Sequence, residues 1–242
     1  MRLHRFYIEQ KIGQSSEITI SDPELIHQLV KVFRFGVGQH VILFDGSGLE
    51  YDCEILSLSK KNIVVKILER KSLLARPQGE AASVSLYLSL IKKGNFELAV
   101  EKCTEIGVTE IHPVSSERSE KKGINSERLL KIVKEASEQS GRVTLPTVFD
   151  LADLEKAVEQ AVVEGRKCVV FHTDADMILS NQSLIKSEEK NTKVAVFVGP
   201  EGGWTEKEMN LFRENNFKIQ SLGPNILRAE TAAIVATYSF ML

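Results

Sequence analysis

The sequence predicts an α/β protein in two parts, a small β-barrel domain over residues 1–72 and a larger α/β domain over residues 83–242. Three observations lead there. Before residue 72 the apolar runs are short and separated by turn-forming clusters, as in strands joined by tight loops. Residues 73–82 contain Arg76-Pro77 and Gly79 and read as a linker. From Val84 onward strand-like and helix-like segments alternate, which implies a mostly parallel sheet covered by helices.

The elements follow in order. Asp22 or Ser21 can cap a short helix whose first turn holds Pro23 and Glu24, because a side-chain oxygen there accepts from free backbone N–H groups and Pro fits the first turn. Val41–Phe44 is an apolar run that ends at the turn Asp45-Gly46-Ser47-Gly48, and further runs span Tyr51–Leu58 and Ile63–Leu68 around a Lys60-Lys61-Asn62 turn. In the second part, Val84–Leu90 reads as a strand. After Gly94, Phe96, Val100, Cys103 and Ile106 recur at helical spacing. A strand is expected at Glu110–Val114 and a helix over Ser126–Ser140 with Leu129, Leu130, Val133 and Ala136 on one face. The next helix carries Leu151, Leu154, Val158 and Ala161. Strands at Cys168–His172, Val194–Val198 and Lys218–Ser221 then alternate with a helix from Thr205 and a final helix over Ala229–Phe240.

Composition narrows the function. Hydrophobic residues make up 43% and charged residues 26% of the 242 residues, the profile of a soluble globular chain with material for a sizeable core. The net charge of −2 argues against wholesale coating of nucleic acid. Residues 1–76 carry 11 Lys and Arg against 9 Asp and Glu, whereas the remainder is mildly acidic. That balance permits a local RNA-binding patch in the first part. Cys53, Cys103 and Cys168 are widely spaced and flanked by apolar residues, as buried reduced thiols are. With no apolar leader in MRLHRFYIEQ and no run as long as a membrane span, the expectation is a cytoplasmic protein off the membrane. The five histidines lack ligand spacing with cysteines or acids, so no metal site is expected.

Two loops carry the chemistry. Val198-Gly199-Pro200-Glu201-Gly202-Gly203-Trp204-Thr205 follows a buried strand, and its glycines let backbone groups approach a ligand with no Cβ in the way. Thr205 and Glu208 have capping-box spacing, so a helix should start at once. Ser221-Leu222-Gly223-Pro224-Asn225-Ile226-Leu227-Arg228-Ala229-Glu230-Thr231-Ala232 repeats the plan, with apolar Leu222, Ile226 and Leu227 and polar Arg228, Glu230 and Thr231. Loops at neighbouring strand ends can share one pocket with apolar walls and few polar groups. The chain has no GxGxxG after the first strand of its α/β part, no P-loop and no G-x-S-x-G elbow, so a dinucleotide fold, an NTPase and a triad hydrolase lack support.

These loops, GPEGGWTEKE and LGPNILRAETA, resemble the two C-terminal signatures of the RsmE family of SPOUT-class RNA methyltransferases. The likeness extends upstream. HQLVKVFRFGVGQHVILFDGSG resembles that family's PUA-like RNA-binding domain, and KGNFELAVEKCTEIGVTEIHPVSSERS with EASEQSGR resembles the start of its catalytic domain. Asn225, Trp204 and Ala229 depart from the residues usual there.

The resemblance implies a SPOUT domain with a C-terminal trefoil knot, which no default topology would suggest. It further implies S-adenosylmethionine as cofactor, a homodimer, and a uridine N3 of small-subunit (16S) ribosomal RNA, within the assembled 30S subunit, as acceptor. Cofactor contacts would come from Phe171, His172 and Thr173, from Val198, Gly199, Pro200 and Gly203, and from Ser221, Leu222, Gly223, Ile226, Leu227, Arg228, Thr231 and Ala232. Arg228, or failing that Arg142, would stabilise charge on the uracil oxygens, and Glu201 or Glu230 would take the proton. RNA would be held by Arg2, Arg5, Lys31 and Arg34 in the first part and by Lys92, Lys93 and Arg118 in the second. The competing expectations are a ribose 2′-O-methyltransferase of the same knotted class and a non-catalytic RNA-binding assembly factor.

Overall fold

The structure is a computed structural model that describes residues 3–72, 83–120, 123–173 and 192–241. The linker expected at 73–82 and Arg2 lie outside the described residues. The chain forms two compact units. The first comprises residues up to Arg76 together with Ser137–Thr144, and the second comprises the rest.

The first unit is a mixed five-stranded sheet of β1 (Arg5–Tyr7), β2 (Glu17–Ile20), β3 (His40–Phe44), β4 (Leu49–Leu58) and β5 (Ile63–Ser72), in the order β1-β3-β4-β5-β2. β1 runs parallel to β3 and the other pairs are antiparallel. β1 and β2 were not legible in the sequence, being only three and four residues long. They are the two ends of the hydrogen-bonded ladder, which describes an open sheet where a closed barrel was expected. Register shifts in β4 bend it at Asp52/Cys53 and Ile55/Ser57. Helix α1 (Pro23–His27) starts where Asp22 accepts from the N–H groups of Glu24 and Leu25, as its capping chemistry predicts, and passes into a π-helical turn, Gln28–Val32. The core holds Phe6, Leu25, Leu29, Leu43, Tyr51, Ile55 and Val65, all buried. The unexpected partner is Ser137–Thr144. Glu138 accepts from the Tyr7 N–H at 2.9 Å, and Arg5 donates to the carbonyls of Gly141 and Arg142 at 3.3 and 3.1 Å.

The second unit is a fully parallel sheet. Its main strands are β6 (Ser83–Ser89), β7 (Glu110–Ser115), β10 (Lys167–Phe171), β11 (Lys193–Val198) and β12 (Lys218–Gln220). The two-residue β8 (Thr147–Val148) and β9 (Ala152–Asp153) both pair with β7. The order is β12-β10-β11-β6-β7-β8. Alternating side chains fill a core on each face, as the period of a strand requires. Val84, Leu86 and Leu88 of β6 pack with α2 (Lys93–Ile106), α3 (Ser126–Ser140) and α6 (Ala229–Tyr238). Tyr87 lies in the other core, with α4 (Leu154–Val163) and α5 (Glu206–Glu214).

Two helical faces differ from expectation. In α3 the buried residues include Leu129, Ile132, Val133 and Ala136, whereas Leu130 is 53% exposed. Leu151 precedes α4 and is also exposed, leaving Leu154, Ala157, Val158 and Ala161 as the buried stripe. Among the described residues no helix is long and apolar enough to cross a membrane. No group of three or more His, Cys, Asp or Glu among them is placed to hold a metal ion.

Candidate active site

The strand order decides where the site forms. β12, β10 and β11 are adjacent, and because all run parallel their C-terminal ends lie along one edge of the sheet. Ligands of open parallel sheets bind outside that edge. Segments leaving β10, β11 and β12 converge there on a cavity of about 810 Å³, and the ends of the β6 and β7 loops complete it with Lys92, Asn95 and Arg118.

The β11 loop is held from several directions. The N–H of Gly203 donates to the carbonyl of Pro200 at 2.9 Å, closing a tight turn, and Gly203 sits at φ +68°. A Cβ at Gly199 would lie 3.0 Å from the Trp204 indole, so the bare backbone there is a packing requirement. Trp204 is buried and its indole N–H donates to the carbonyl of Phe171 at 3.3 Å, tying the loop to the end of β10. The expected capping box is present. Glu208 accepts from the Thr205 N–H at 2.7 Å, and the Thr205 hydroxyl accepts from the Glu208 N–H. Glu208 also accepts from the Glu117 N–H at 2.8 Å, which anchors the β7 loop to the same helix start. Arg118 then reaches the Gly202 carbonyl at 2.9 Å.

The β12 loop turns at Gly223, where φ is +130°, and the Ser221 hydroxyl donates to the Gly223 carbonyl at 3.0 Å. Leu222 and Leu227 are half-buried, whereas Ile226 is 84% exposed. Helix α6 starts immediately afterwards with Arg228 at its N-cap. The Arg228 side chain is exposed, lines the cavity, and has no hydrogen-bond or ion-pair partner among the described residues. Glu230, also in the wall, is only 6% exposed, and its Oε2 is buried with no hydrogen-bond partner among the described residues. A buried carboxylate oxygen without a donor is costly, so such an atom in a cavity wall points to a ligand that completes it.

The residues singled out from the sequence mostly gather here. Phe171, His172, Thr173, Val198, Gly199, Pro200, Gly203, Ser221, Leu222, Gly223, Ile226, Leu227, Arg228 and Ala232 line the cavity, with Glu201 and Glu230. Thr231 does not; it is exposed, one position past Glu230 on α6. Arg142 does not line the cavity either. It groups with the first unit, its Nε donates to the Thr144 carbonyl at 3.1 Å, and burial lowers its pKa to about 10. Glu201 is exposed and accepts from the Lys92 N–H at 3.2 Å.

The basic residues sort into three groups. Lys92 and Arg118, expected on RNA, stand in the cavity wall. Lys31, Arg34 and Lys93 are exposed, with Lys93 loosely paired to Glu97 at 3.9 Å. Arg5 is the correction. Its side chain is 10% exposed, paired with Glu50, held over the Phe44 ring at 5.5 Å and bonded to two carbonyls, so it has no free face for phosphate. The wall residues missed in the sequence are Asn95, Gly202, Trp204, Pro224, Asn225 and Ala229. Five of these lie inside the two loops already singled out. Asn95 comes from the first turn of α2, which the strand order brings to this edge.

Comparison with known proteins agrees with this geometry. Residues 78–241 match the RNA methyltransferase domain family and residues 20–68 match the RNA methyltransferase PUA domain. The chain is 32% identical to the ribosomal RNA small subunit methyltransferase E of Rickettsia conorii, over 98% of this chain and 94% of that protein. It is 30% identical to the protein of the same name from Bacillus subtilis, over 97% and 94%. A crystal structure of a ribosomal RNA small subunit methyltransferase E from Neisseria gonorrhoeae bound to S-adenosyl methionine superposes with a TM-score of 0.83. That pair is 26% identical, over 98% of this chain and 95% of the other. A match to the RNA methyltransferase domain across two thirds of the chain, with relatives 32% and 30% identical over nearly their full length, places this protein in the RNA methyltransferase family.

Proposed function

We propose that the protein methylates N3 of a uridine in small-subunit (16S) ribosomal RNA with S-adenosylmethionine as methyl donor. The observation that carries this reading is the pairing of two groups in one cavity wall. Among the described residues Arg228 has no partner for its guanidinium, and two residues on, a buried carboxylate oxygen of Glu230 has no donor.

The residues fit the cofactor. A flat purine suits the apolar surface of Leu222, Ile226 and Leu227, and the bare backbone at Gly199 and Gly223 admits close approach. Phe171, His172, Thr173, Val198, Pro200, Gly203, Ser221 and Ala232 supply the remaining wall. Bound there, S-adenosylmethionine supplies an electrophilic methyl group. The chain's own task is to position and polarise the acceptor.

Uridine N3 carries a proton and is a poor nucleophile until that proton leaves. Glu230 is the candidate acceptor for it, because its Oε2 is buried and unpartnered, whereas Glu201 is exposed and already accepts from a backbone N–H. As N3 loses its proton, charge spreads onto O2 and O4. The Arg228 guanidinium could donate to one of those oxygens while leaving N3 open to the methyl group, and a preorganised donor of this kind is worth roughly 10²–10³ in rate. Lys92 and Arg118, both exposed and lining the cavity, would hold the flanking phosphates.

Three finer features belong to the same reading. The C-terminal region would be threaded as a trefoil knot, which accords with β12 pairing with β10 rather than with β11, the strand before it. The protein would act as a cytoplasmic homodimer on the 30S subunit. Exposed Val235 and Tyr238 on α6, with exposed Ile226, give it an apolar surface to bury against a second copy. The first unit would be the PUA-like RNA-binding domain, ending near residue 72, with a linker to 83. Calorimetric titration of the full chain with S-adenosylmethionine tests the core of the proposal. One binding event per chain is expected, and absence of heat at millimolar cofactor would sink it.

A further inference from the structure

On the surface of the first unit, a ring group continues from the core out to solvent. Phe6 is buried, Phe33 and Phe35 are half-buried, and His4 is exposed. Phe33 and Phe35 stack with centroids 5.6 Å apart and planes within 13°, and the His4 ring lies 4.4 Å from Phe33 and 5.7 Å from Phe35. Core packing accounts for Phe6 and for the inner edges of the two phenylalanines. It does not account for an exposed imidazole laid against them.

The segment that carries Phe33 and Phe35 has charge of one sign. Between Glu24 and Asp45 the chain has no acidic residue, whereas Lys31 and Arg34 are both exposed and free of ion pairs among the described residues. The backbone at Arg34 is a separate signal. Arg34 has φ 55°, a left-handed conformation that is unfavourable for a non-glycine residue. It sits where a helix end normally places glycine. The π-helical turn before it is held by the Phe33 N–H on the Gln28 carbonyl at 3.0 Å, and the Phe35 N–H then reaches back to Leu29 at 2.9 Å. Keeping arginine where glycine would be more stable is the pattern of a residue retained for contact.

We infer that His4, Phe33 and Phe35 form a stacking shelf for an unpaired base of single-stranded RNA, with Lys31 and Arg34 gripping the adjoining phosphates. The inference rests on the chain's being an RNA methyltransferase and adds how its substrate is held away from the reacting base. Single-stranded RNA is the occupant because only unpaired bases offer open faces to aromatic rings beside a cationic strip. A duplex would present phosphates but no face to stack.

The test uses the full chain and a short single-stranded oligoribonucleotide carrying one 2-aminopurine, with the same strand as a duplex for comparison. Binding of the single strand should quench 2-aminopurine, and His4→Ala should reduce both the quenching and the affinity, the latter about 5- to 10-fold. Arg34→Gly separates contact from structure. It should raise the melting temperature by relieving the left-handed strain, yet weaken RNA binding and reduce its salt dependence by about one phosphate. Preference for the duplex, absence of quenching, or wild-type affinity in both variants would overturn the inference. A partner protein as occupant would give the same negative result. Cofactor titration of the same variants keeps the two readings apart. S-adenosylmethionine binding with no stacking sinks the shelf alone, and stacking without cofactor binding sinks the methyltransferase reading alone.

Discussion

The indole N–H of Trp204 donates to the carbonyl of Phe171 at 3.3 Å, and the same ring occupies the space that a Cβ at Gly199 would need. One side chain thus ties the β11 loop to the end of β10 and fixes how close the backbone of residue 199 can come to the cavity. Gly199→Ala should push the indole or the loop by a few tenths of an ångström. Overpacking of that kind costs about 1–3 kcal/mol, so S-adenosylmethionine affinity should fall about 10-fold or more with the fold retained. An unchanged Kd by calorimetry would remove this contact from the account.

Gly203 and Gly223 are required for a different reason. A Cβ at either meets nothing within 4 Å, so neither guards against collision, but their φ values are +68° and +130°. Asparagine tolerates the first region and not the second. Gly203→Asn should therefore bind cofactor nearly as well as the wild type, whereas Gly223→Asn and Gly223→Val should lose affinity. Calorimetry on the three variants checks the order, and equal losses would show that the β12 loop is not held in this conformation.

Much of the site was legible because its loops announce themselves locally. Glycine and proline density, the Thr205–Glu208 cap and the apolar run Leu222–Leu227 are all sequence-near signals. What the sequence hid was set by strand order. Asn95 joins the wall, and Lys92 and Arg118 line it, only because β6 and β7 continue the same sheet. Arg5 is engaged by partners far from it in the chain, Glu50 and the carbonyls of Gly141 and Arg142, so its commitment could not be read locally. The fold followed the same division. The longer elements of the alternating part were readable from periodicity, and the three-residue β12 from its place between a helix and the Gly223-Pro224 turn, whereas β1, β2, β8 and β9, of four residues or fewer, lack both signals.

Arg228 separates chemistry from binding. Arg228→Ala should lower the single-turnover methylation rate about 10²- to 10³-fold at saturating cofactor and RNA, with RNA affinity little changed. Arg228→Lys should recover only part of the rate, because an ammonium on a flexible stem is a less preorganised donor. A near-normal rate for Arg228→Ala would remove it from the chemistry.

Acid stability should report on His112. Its ring is stacked between Tyr87 at 4.1 Å and Phe149 at 4.0 Å, and its Nε2 lies 3.0 Å from Glu110. Burial pushes the imidazole below its ordinary 6.5, against the opposing pull of the Glu110 carboxylate. The unfolded chain therefore binds this proton more readily, so the stabilisation is present above about pH 6.5 and is lost as the pH falls through 6.5 toward the lower folded value. Burial alone would raise Glu110, but hydrogen bonds from His112 and Ser85 and the Arg166 charge outweigh it and leave its pKa lowered, adding a loss of the same sign below 4.5. His112→Phe, which keeps the ring stack, should flatten the fall in melting temperature between about pH 7.5 and 5.5. An unaltered slope would assign it to other groups.

The identity of the methylated atom tests the central claim most directly. Small subunits lacking this modification are incubated with the protein and isotopically labelled S-adenosylmethionine, and the RNA is digested to nucleosides for mass spectrometry. Label in 3-methyluridine, absent with the Arg228→Ala and Glu230→Gln variants, is the predicted result. Label in a 2′-O-methylated nucleoside, or none with the wild-type protein, would contradict the assignment.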